Sequence, residues 1–310
     1  MFETFSAPGR FYKGNLHTHS KRSDGRLEPE EVCRQYRERG YDFLCLSDHF
    51  LERYGFPVVD TRPFRTDDFT TLIGAELHAP ATHLGDLWHI LAVGLPLDFE
   101  KTGADEDGPA LAGRAAAAGA FVGIAHPQWY GLNASDGHAL DAAHAVEIYN
   151  HTCEMLSARP DGVALLDQLL TEGRKVTGFA ADDAHFHASD AFGGWVRVKA
   201  ESLDPEALLQ ALKAGRYYAT QGPEFLSLER DGDVVKVATS PARSIVLVGP
   251  GARALQVHGQ GIVVAEFNLS SLLAPWCRLV VTAEDGRRAW TQPEHLVTDR
   301  AGAPAAPASR

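Results

Sequence analysis

Two kinds of apolar spacing alternate along the first two thirds of the chain. Short apolar runs of strand length occupy residues 11–16, 41–46, 71–77, 88–95, 120–125, 145–149, 176–181 and 195–200. Between several of them lie stretches whose apolar residues recur at helical spacing. These are residues 28–39, stopped by Gly40; the Ala-rich 110–118, closed by Gly119; 161–172, with Asp161 placed to cap the first turn; and 205–214, ended by Gly215. Strand-helix alternation of this kind predicts an α/β fold with mainly parallel strands.

The texture changes at Gly222-Pro223. Short strand-like segments come after it at 225–230, 234–239, 244–248, 262–269 and 278–283, set apart by the turn pairs Asp231-Gly232, Pro250-Gly251 and Asp285-Gly286. That pattern predicts a small β-sandwich. The expected organisation is a metal-binding α/β domain over 1–222, a β-sandwich over 223–300 and a disordered Ala/Pro-rich tail over 301–310. Trp276 and Trp290 are expected in the core rather than in a ligand groove.

Composition narrows the function. The 310 residues carry a net charge of -12, which disfavours nucleic acid as a partner. No run of about 18 apolar residues predicts a membrane span, and the first residues do not read as a secretory signal. Cys33, Cys45, Cys153 and Cys277 are scattered without a C-x-x-C pair, as expected of reduced thiols in a cytoplasmic protein. Of the 14 histidines, only His258 and His295 lie beyond His187, so any histidine-based chemistry belongs to the first part.

Potential metal ligands sit at the tips of the predicted strands. The first strand leads into His17 and His19, which share a strand face at i and i+2, with Asp24 just beyond. The next gives Asp48 and His49, then Glu76; the fourth begins with His89; later ones end at His126 and at Asp182, Asp183 and His185. A single histidine at a strand end is usually a hydrogen-bonded structural residue. A whole series of ionisable groups at successive strand ends is costly to bury without shared partners. In a parallel α/β barrel those ends converge where loops build the active site. Imidazole and carboxylate without cysteine suit Zn, Mn or Fe, and at roughly three or four ligands per ion the set is large enough for two or three divalent ions. Glu76 is the best bridging carboxylate. Asp48 and Asp182 are expected to orient ligands rather than to bind. His78, His83, His138, His144, His151 and His187 have no place in the pattern and are expected to face substrate or solvent.

The ordered series HTHS, SDG, SDH, GAE, HIL, HP and D-x-H resembles the PHP (polymerase and histidinol phosphatase) superfamily of metallohydrolases over residues 11–222. The phrases KGNLHTHS, GYDFLCLSDHF, GRYYATQGP and GRRAWTQPEHL are similar to its branch of carbamate (carbaryl) hydrolases. The resemblance implies a distorted seven-stranded β/α, TIM-like barrel with a di- or trinuclear centre. It implies that His17, His19, Glu76 and Asp183 hold a first ion, that Glu76, His89 and His126 hold a second, and that Asp24, His49 and His185 hold a third. Some members carry His where this chain has Asp24. Glu76, Asp183 and His185 are the expected catalytic residues.

The implied mechanism is hydrolysis by a hydroxide bridging the metals. Two or three divalent ions would outweigh the carboxylates of Asp24, Glu76 and Asp183, which favours a small anionic substrate and phosphomonoester or phosphodiester hydrolysis. Lys21 and Arg22, after the H-x-H pair, are candidate phosphate contacts. The alternative is carbamate, ester or amide cleavage, and a less favoured one is a non-catalytic metal-binding domain. The sequence leaves the oligomeric state open.

Overall fold

A computed structural model describes residues 2–296. The strands of the first part are β1 (Arg10–Asn15), β2 (Phe43–Leu46), β3 (His49–Phe50), β4 (Thr70–Ala79), β5 (Trp88–Val93), β6 (Phe121–Ile124), β7 (Ala145–Asn150) and β8 (Thr177–Ala181). The later ones are β9 (Trp195–Ala200), β10 (Tyr217–Thr220), β11 (Phe225–Asp231), β12 (Val234–Val248), β13 (Ala254–Asn268), β14 (Trp276–Thr282), β15 (Arg288–Thr291) and β16 (Glu294–His295). The four predicted helices are present as Pro29–Glu38, Gly108–Ala117, Val163–Thr171 and Pro205–Lys213. Three short helices, Glu3–Ser6, Ala134–Ala139 and His151–Ser157, are additional; they are too brief to leave a helical period in the sequence. Asp161 lies outside the helix it was expected to cap, whose cap position is Gly162, yet its carboxylate still accepts from the Val163 amide at 2.7 Å.

The central path of the sheet runs β1-β2-β4-β5-β6-β7-β8. It is parallel except at one place: β5 is antiparallel to both β4 and β6. This corrects the expectation of parallel neighbours there and explains a detail of the sequence. An antiparallel strand presents its beginning where its neighbours present their ends, so His89 opens its strand while the other candidate ligands close theirs. The two ends of the path touch at their tips. The Asp183 amide donates to the His17 carbonyl at 2.8 Å and the His19 amide to the Ala184 carbonyl at 2.9 Å, around a parallel bridge between Thr18 and Ala184. Lower down, β1 pairs instead with antiparallel β9, which leads through β10 to β15, β14, β12 and β11.

The strands after residue 222 are hydrogen-bonded into the same sheet system through β10 and β15. The segments expected at 234–239 and 244–248 are one long strand whose pairing shifts register around Ala242. A bulge there bends the strand without ending it. These strands have a core of their own, including Val235, Ile245, Leu247, Phe267 and Leu279. Trp276 and Trp290, as expected, are buried, in the cluster that also holds Leu165, Leu169 and Val176 of the first part. The four cysteines are buried and unpaired. No helix among the described residues is long and apolar enough to cross a membrane. The tail expected to be disordered, 301–310, lies outside the described residues.

Gln292 closes a gap that this topology leaves. Its side-chain Nε2 donates to the Gly178 carbonyl and its Oε1 accepts from the Gly178 amide, both at 2.8 Å, so one amide side chain stands in for a neighbouring strand beside β8. Gln292→Ala would leave two buried backbone groups unpaired, at about 1–3 kcal/mol each. The expected outcome in urea unfolding is a loss of about 2–6 kcal/mol with metal content unchanged. A loss under about 0.5 kcal/mol would show that water replaces the amide.

Candidate metal centre

Local backbone choices aim the candidate ligands. Beyond β1, Thr18 turns toward β2: its hydroxyl donates to the Cys45 carbonyl at 2.9 Å and its amide to Ser47 Oγ at 3.0 Å. The imidazoles on either side of it therefore face the other way, into the centre. The loop after them folds back tightly. A Cβ on Gly25 would lie 2.6 Å from the His19 carbonyl carbon and oxygen, so the residue after Asp24 has no room for a side chain. Asp48 fixes this loop by accepting from the Ser20 amide and hydroxyl, both at 2.7 Å, and from the Ser23 hydroxyl at 2.6 Å. Asp183 adopts a left-handed backbone conformation (φ 57°) that is unusual for a side-chain-bearing residue. Its amide is held by the His17 carbonyl, and its own carbonyl accepts from Thr152 Oγ1 and His185 Nδ1, both at 2.7 Å.

All nine predicted ligands converge. Three groups of donor atoms lie within 4.8 Å of one another: His17, His19, Glu76 and Asp183; His19, Asp24, His49 and His185; and His49, Glu76, His78 and His89. The first of these is the set expected for a first ion. The second is the set expected for a third ion, with His19 added. Glu76 joins two groups. Its Oε2 lies 3.5 Å from His17 Nε2 and 3.6 Å from His19 Nε2, while its Oε1 lies 2.7 Å from His89 Nδ1 and 3.1 Å from His126 Nε2. Asp24 lies 3.4 Å from both His49 Nε2 and His185 Nε2.

The arrangement fits cations. His17 Nε2, His19 Nδ1, Glu76 Oε2 and His126 Nδ1 are buried without a hydrogen-bond partner, and buried polar atoms are rarely left so. Glu76 Oε2 also lies 2.6 Å from His49 Nδ1 without the alignment of a hydrogen bond. Burial favours a neutral Glu76 carboxyl, yet His49, His89 and His17 hold it well below the usual range. Burial works against the charged form of His49 and His185 too, but Glu76 and Asp24 raise His49 to about 10, and Asp24 and Asp183 raise His185 to about 9. Protons thus supply the positive charge that the carboxylates require. His19, pushed down to about 3 by burial and by the neighbouring His185 and His49, is a neutral imidazole with a free lone pair.

The structure adds residues that the motifs did not signal. Glu147 is fully buried; its Oε1 lies 3.2 Å from His17 Nδ1 and its Oε2 accepts from the His126 amide at 2.7 Å. Asn150 joins Glu147 to Asp183, donating at 3.1 Å to each. Both lie on β7, whose expected run carried no recognised motif. Asp182 accepts from Tyr36, Asn15 and three successive amides, Phe192 to Gly194, so it braces the strand tips. His78 is corrected: it is buried, 3% exposed, and belongs to a donor group, because it shares a face of β4 with Glu76 at i+2. Of the other unassigned histidines, His83 contacts Asp136, His138 contacts Glu172, His144 accepts from the Val122 amide, His151 contacts Tyr149 and His187 contacts the Asp24 carbonyl. Lys21 pairs with Glu28 at the surface, 3.2 Å away, and neither it nor exposed Arg22 is brought into a donor group.

Glu147→Gln keeps the shape but removes the charge beside His17. The expected outcome is a roughly 10- to 100-fold weaker hold on metal, measured by chelator competition. Unchanged affinity would reduce Glu147 to a packing role.

No protein-family model matches the chain, and no curated protein does. Among solved structures it is similar to a two-domain Bacteroides vulgatus protein containing a predicted PHP-like metal-dependent phosphoesterase, at 15% identity and a TM-score of 0.52, over 94% of this chain and 97% of that one. A Bifidobacterium adolescentis protein described as a candidate metal-dependent phosphoesterase matches at 15% identity and a TM-score of 0.38, over 58% of this chain and 88% of that one. A sulfate-bound, metal-free amidohydrolase from Chromobacterium violaceum matches at 15% identity and 0.42, over 66% and 96%. The last two are too distant in shape to support an argument. The first, spanning nearly the whole of both chains, shows that this chain shares the fold of that two-domain protein.

Proposed function

We propose that the protein is a metal-dependent hydrolase of ester bonds, and specifically a phosphoesterase acting on small anionic substrates. The observation that carries this reading is the set of three interlocked donor groups around Glu76, with buried donor atoms left unpartnered. In this reading the first ion is held by His17, His19, Glu76 and Asp183, the second by Glu76, His89 and His126, and the third by Asp24, His49 and His185. When bound, divalent Zn, Mn or Fe supplies Lewis acidity and a water whose pKa falls from 15.7 to about 7.

The chain's own part is positional. Glu76 offers one oxygen to each of two groups and so sets the spacing between them. Glu147 orients His17, and Asp48 holds the Asp24 loop in place. A cavity of about 700 Å³ opens at His89, with Trp129, Leu84, Leu87, Gln128 and Arg159 among its walls, and gives a substrate its approach. The exposed apolar groups on that approach, Leu84, Leu87 and Trp129, keep carbamate, ester or amide cleavage as the second reading. The same proposal takes the seven strands from β1 to β8, without β3, as a distorted barrel. It takes the strands after Gly222 as a sandwich domain, and the buried, scattered thiols as suited to the cytoplasm.

Purified protein supplied with metal should retain at least two equivalents by elemental analysis. It should hydrolyse an aryl phosphate faster than the matching aryl carbamate. Asp183→Ala should lower turnover by roughly 100-fold or more, with loss of metal. Retention of one equivalent or none would sink the multinuclear reading, and the reverse substrate preference would promote the carbamate reading.

A further inference from the structure

The rim of β4 carries a histidine whose two nitrogens are both committed. His78 Nδ1 lies 3.0 Å from the Trp88 carbonyl, and its Nε2 lies 2.9 Å from His49 Nδ1. A carbonyl oxygen only accepts, so the proton of His78 sits on Nδ1 and its Nε2 presents a lone pair. Two lone pairs do not face each other at that distance, so the proton between the rings belongs to His49 Nδ1. The other neighbour of that atom, Glu76 Oε2 at 2.6 Å, is not aligned as a hydrogen bond but is likewise an acceptor and brings no proton to the contact. When a cation replaces the second proton of His49, the lone pair it meets is therefore on Nε2, the atom 3.4 Å from Asp24 and on the side of His185.

We infer that His78 is a positioning residue: with Trp88 it forms a carbonyl–imidazole–imidazole chain that fixes the tautomer and ring orientation of His49, so that Nε2 is the atom offered to a cation. The inference rests on the metal-centre reading above and goes one step beyond it, since His78 itself binds no ion. It also accounts for the burial of a histidine that belongs to no ligand motif. Metal-binding imidazoles commonly give their second N–H to an acceptor that sets their orientation. Here that acceptor is another imidazole, backed by a β5 carbonyl, so the pairing of β4 with β5 at His78 and His89 is transmitted to His49.

The test uses the zinc-loaded protein and two variants. His78→Gln keeps an acceptor and a donor at nearly the spacing of the two ring nitrogens, whereas His78→Leu keeps only bulk. Long-range proton–nitrogen NMR of the wild type should show His49 protonated at Nδ1 and zinc-bound at Nε2. In chelator competition, His78→Gln should release zinc within about threefold of the wild-type rate. His78→Leu should lose one equivalent at least about tenfold faster. Zinc on His78 Nε2 would make His78 a ligand, and zinc on His49 Nδ1 would show the opposite tautomer; either result, or equal loss in the two variants, would overturn the inference alone. Unchanged zinc retention in a folded Leu variant overturns it as well. Should the Leu variant not fold, the wild-type tautomers and the Gln variant still decide. Wild-type protein that takes up no zinc would bring down the metal-centre reading together with this one.

Discussion

A carboxylate with no exposure to water, Glu76, sits among six histidines, and much of the rim is arranged to keep it charged. Burying an isolated carboxylate is so costly that the group would ordinarily take up a proton. Here His49, His89 and His17 hold it ionised against that cost. The compensation is mutual, because Glu76 and Asp24 keep His49 protonated to about 10. Such a cluster sets up a demand for positive charge that protons on His49 and His185 can meet and that divalent ions would meet more compactly. The fold serves that demand. It brings strand tips together, and the hydrogen bonds at Thr18 and Ala184 hold the first and last strands of the path in contact just where His17, His19 and Asp183 stand.

Much of this was legible in the sequence because it depends on short-range rules. H-x-H places two rings on one face, and Thr18 between them has its own partner on β2. The SDG motif reads as a tight loop, and Gly25 proves to have backbone against the place where a side chain would be. Even the odd position of His89, at the start rather than the end of its run, was in the sequence. What the sequence could not supply was the reason, since strand direction within a sheet is a tertiary fact. Alternation of strands and helices pointed to parallel neighbours, whereas the direct passage from β4 to β5 without an intervening helix was the available sign of an antiparallel pair.

The residues missed have a common physical character. Glu147, Asn150 and His78 touch the candidate ligands through hydrogen bonds across strands, at sequence separations of 29 to 130 positions. No local spacing encodes such a contact. His78 had one usable signal, its i+2 relation to Glu76 on an apolar strand, which marks it as inward-facing. Glu147 had another: a charged residue inside a strand buried along its whole length needs a partner. Lys21 and Arg22 show the opposite case. Proximity to the H-x-H pair in sequence suggested the site, but the loop that Gly25 allows carries their side chains outward, and Lys21 finds Glu28 instead.

The later strands bear on the centre without supplying a ligand to it. Among the described residues, none of the three donor groups draws on anything beyond His185. Yet the strands of the first part are completed by the later ones. β15 pairs with β10, Gln292 pairs with the backbone of Gly178 on β8, and Arg278 reaches back to Asp167 with two hydrogen bonds of 2.9 and 2.7 Å. Arg278 is buried, and that carboxylate is the partner that offsets the loss of water around its guanidinium. The last two ties fall on β8 and on the helix that precedes it, the same segment that ends in Asp183 and His185. The left-handed backbone at Asp183 persists only while its surroundings hold it. The chain after residue 222 therefore bears on the candidate site through rigidity: by bracing the frame from Val163 to Ala181 it helps fix the point from which Asp183 and His185 are aimed.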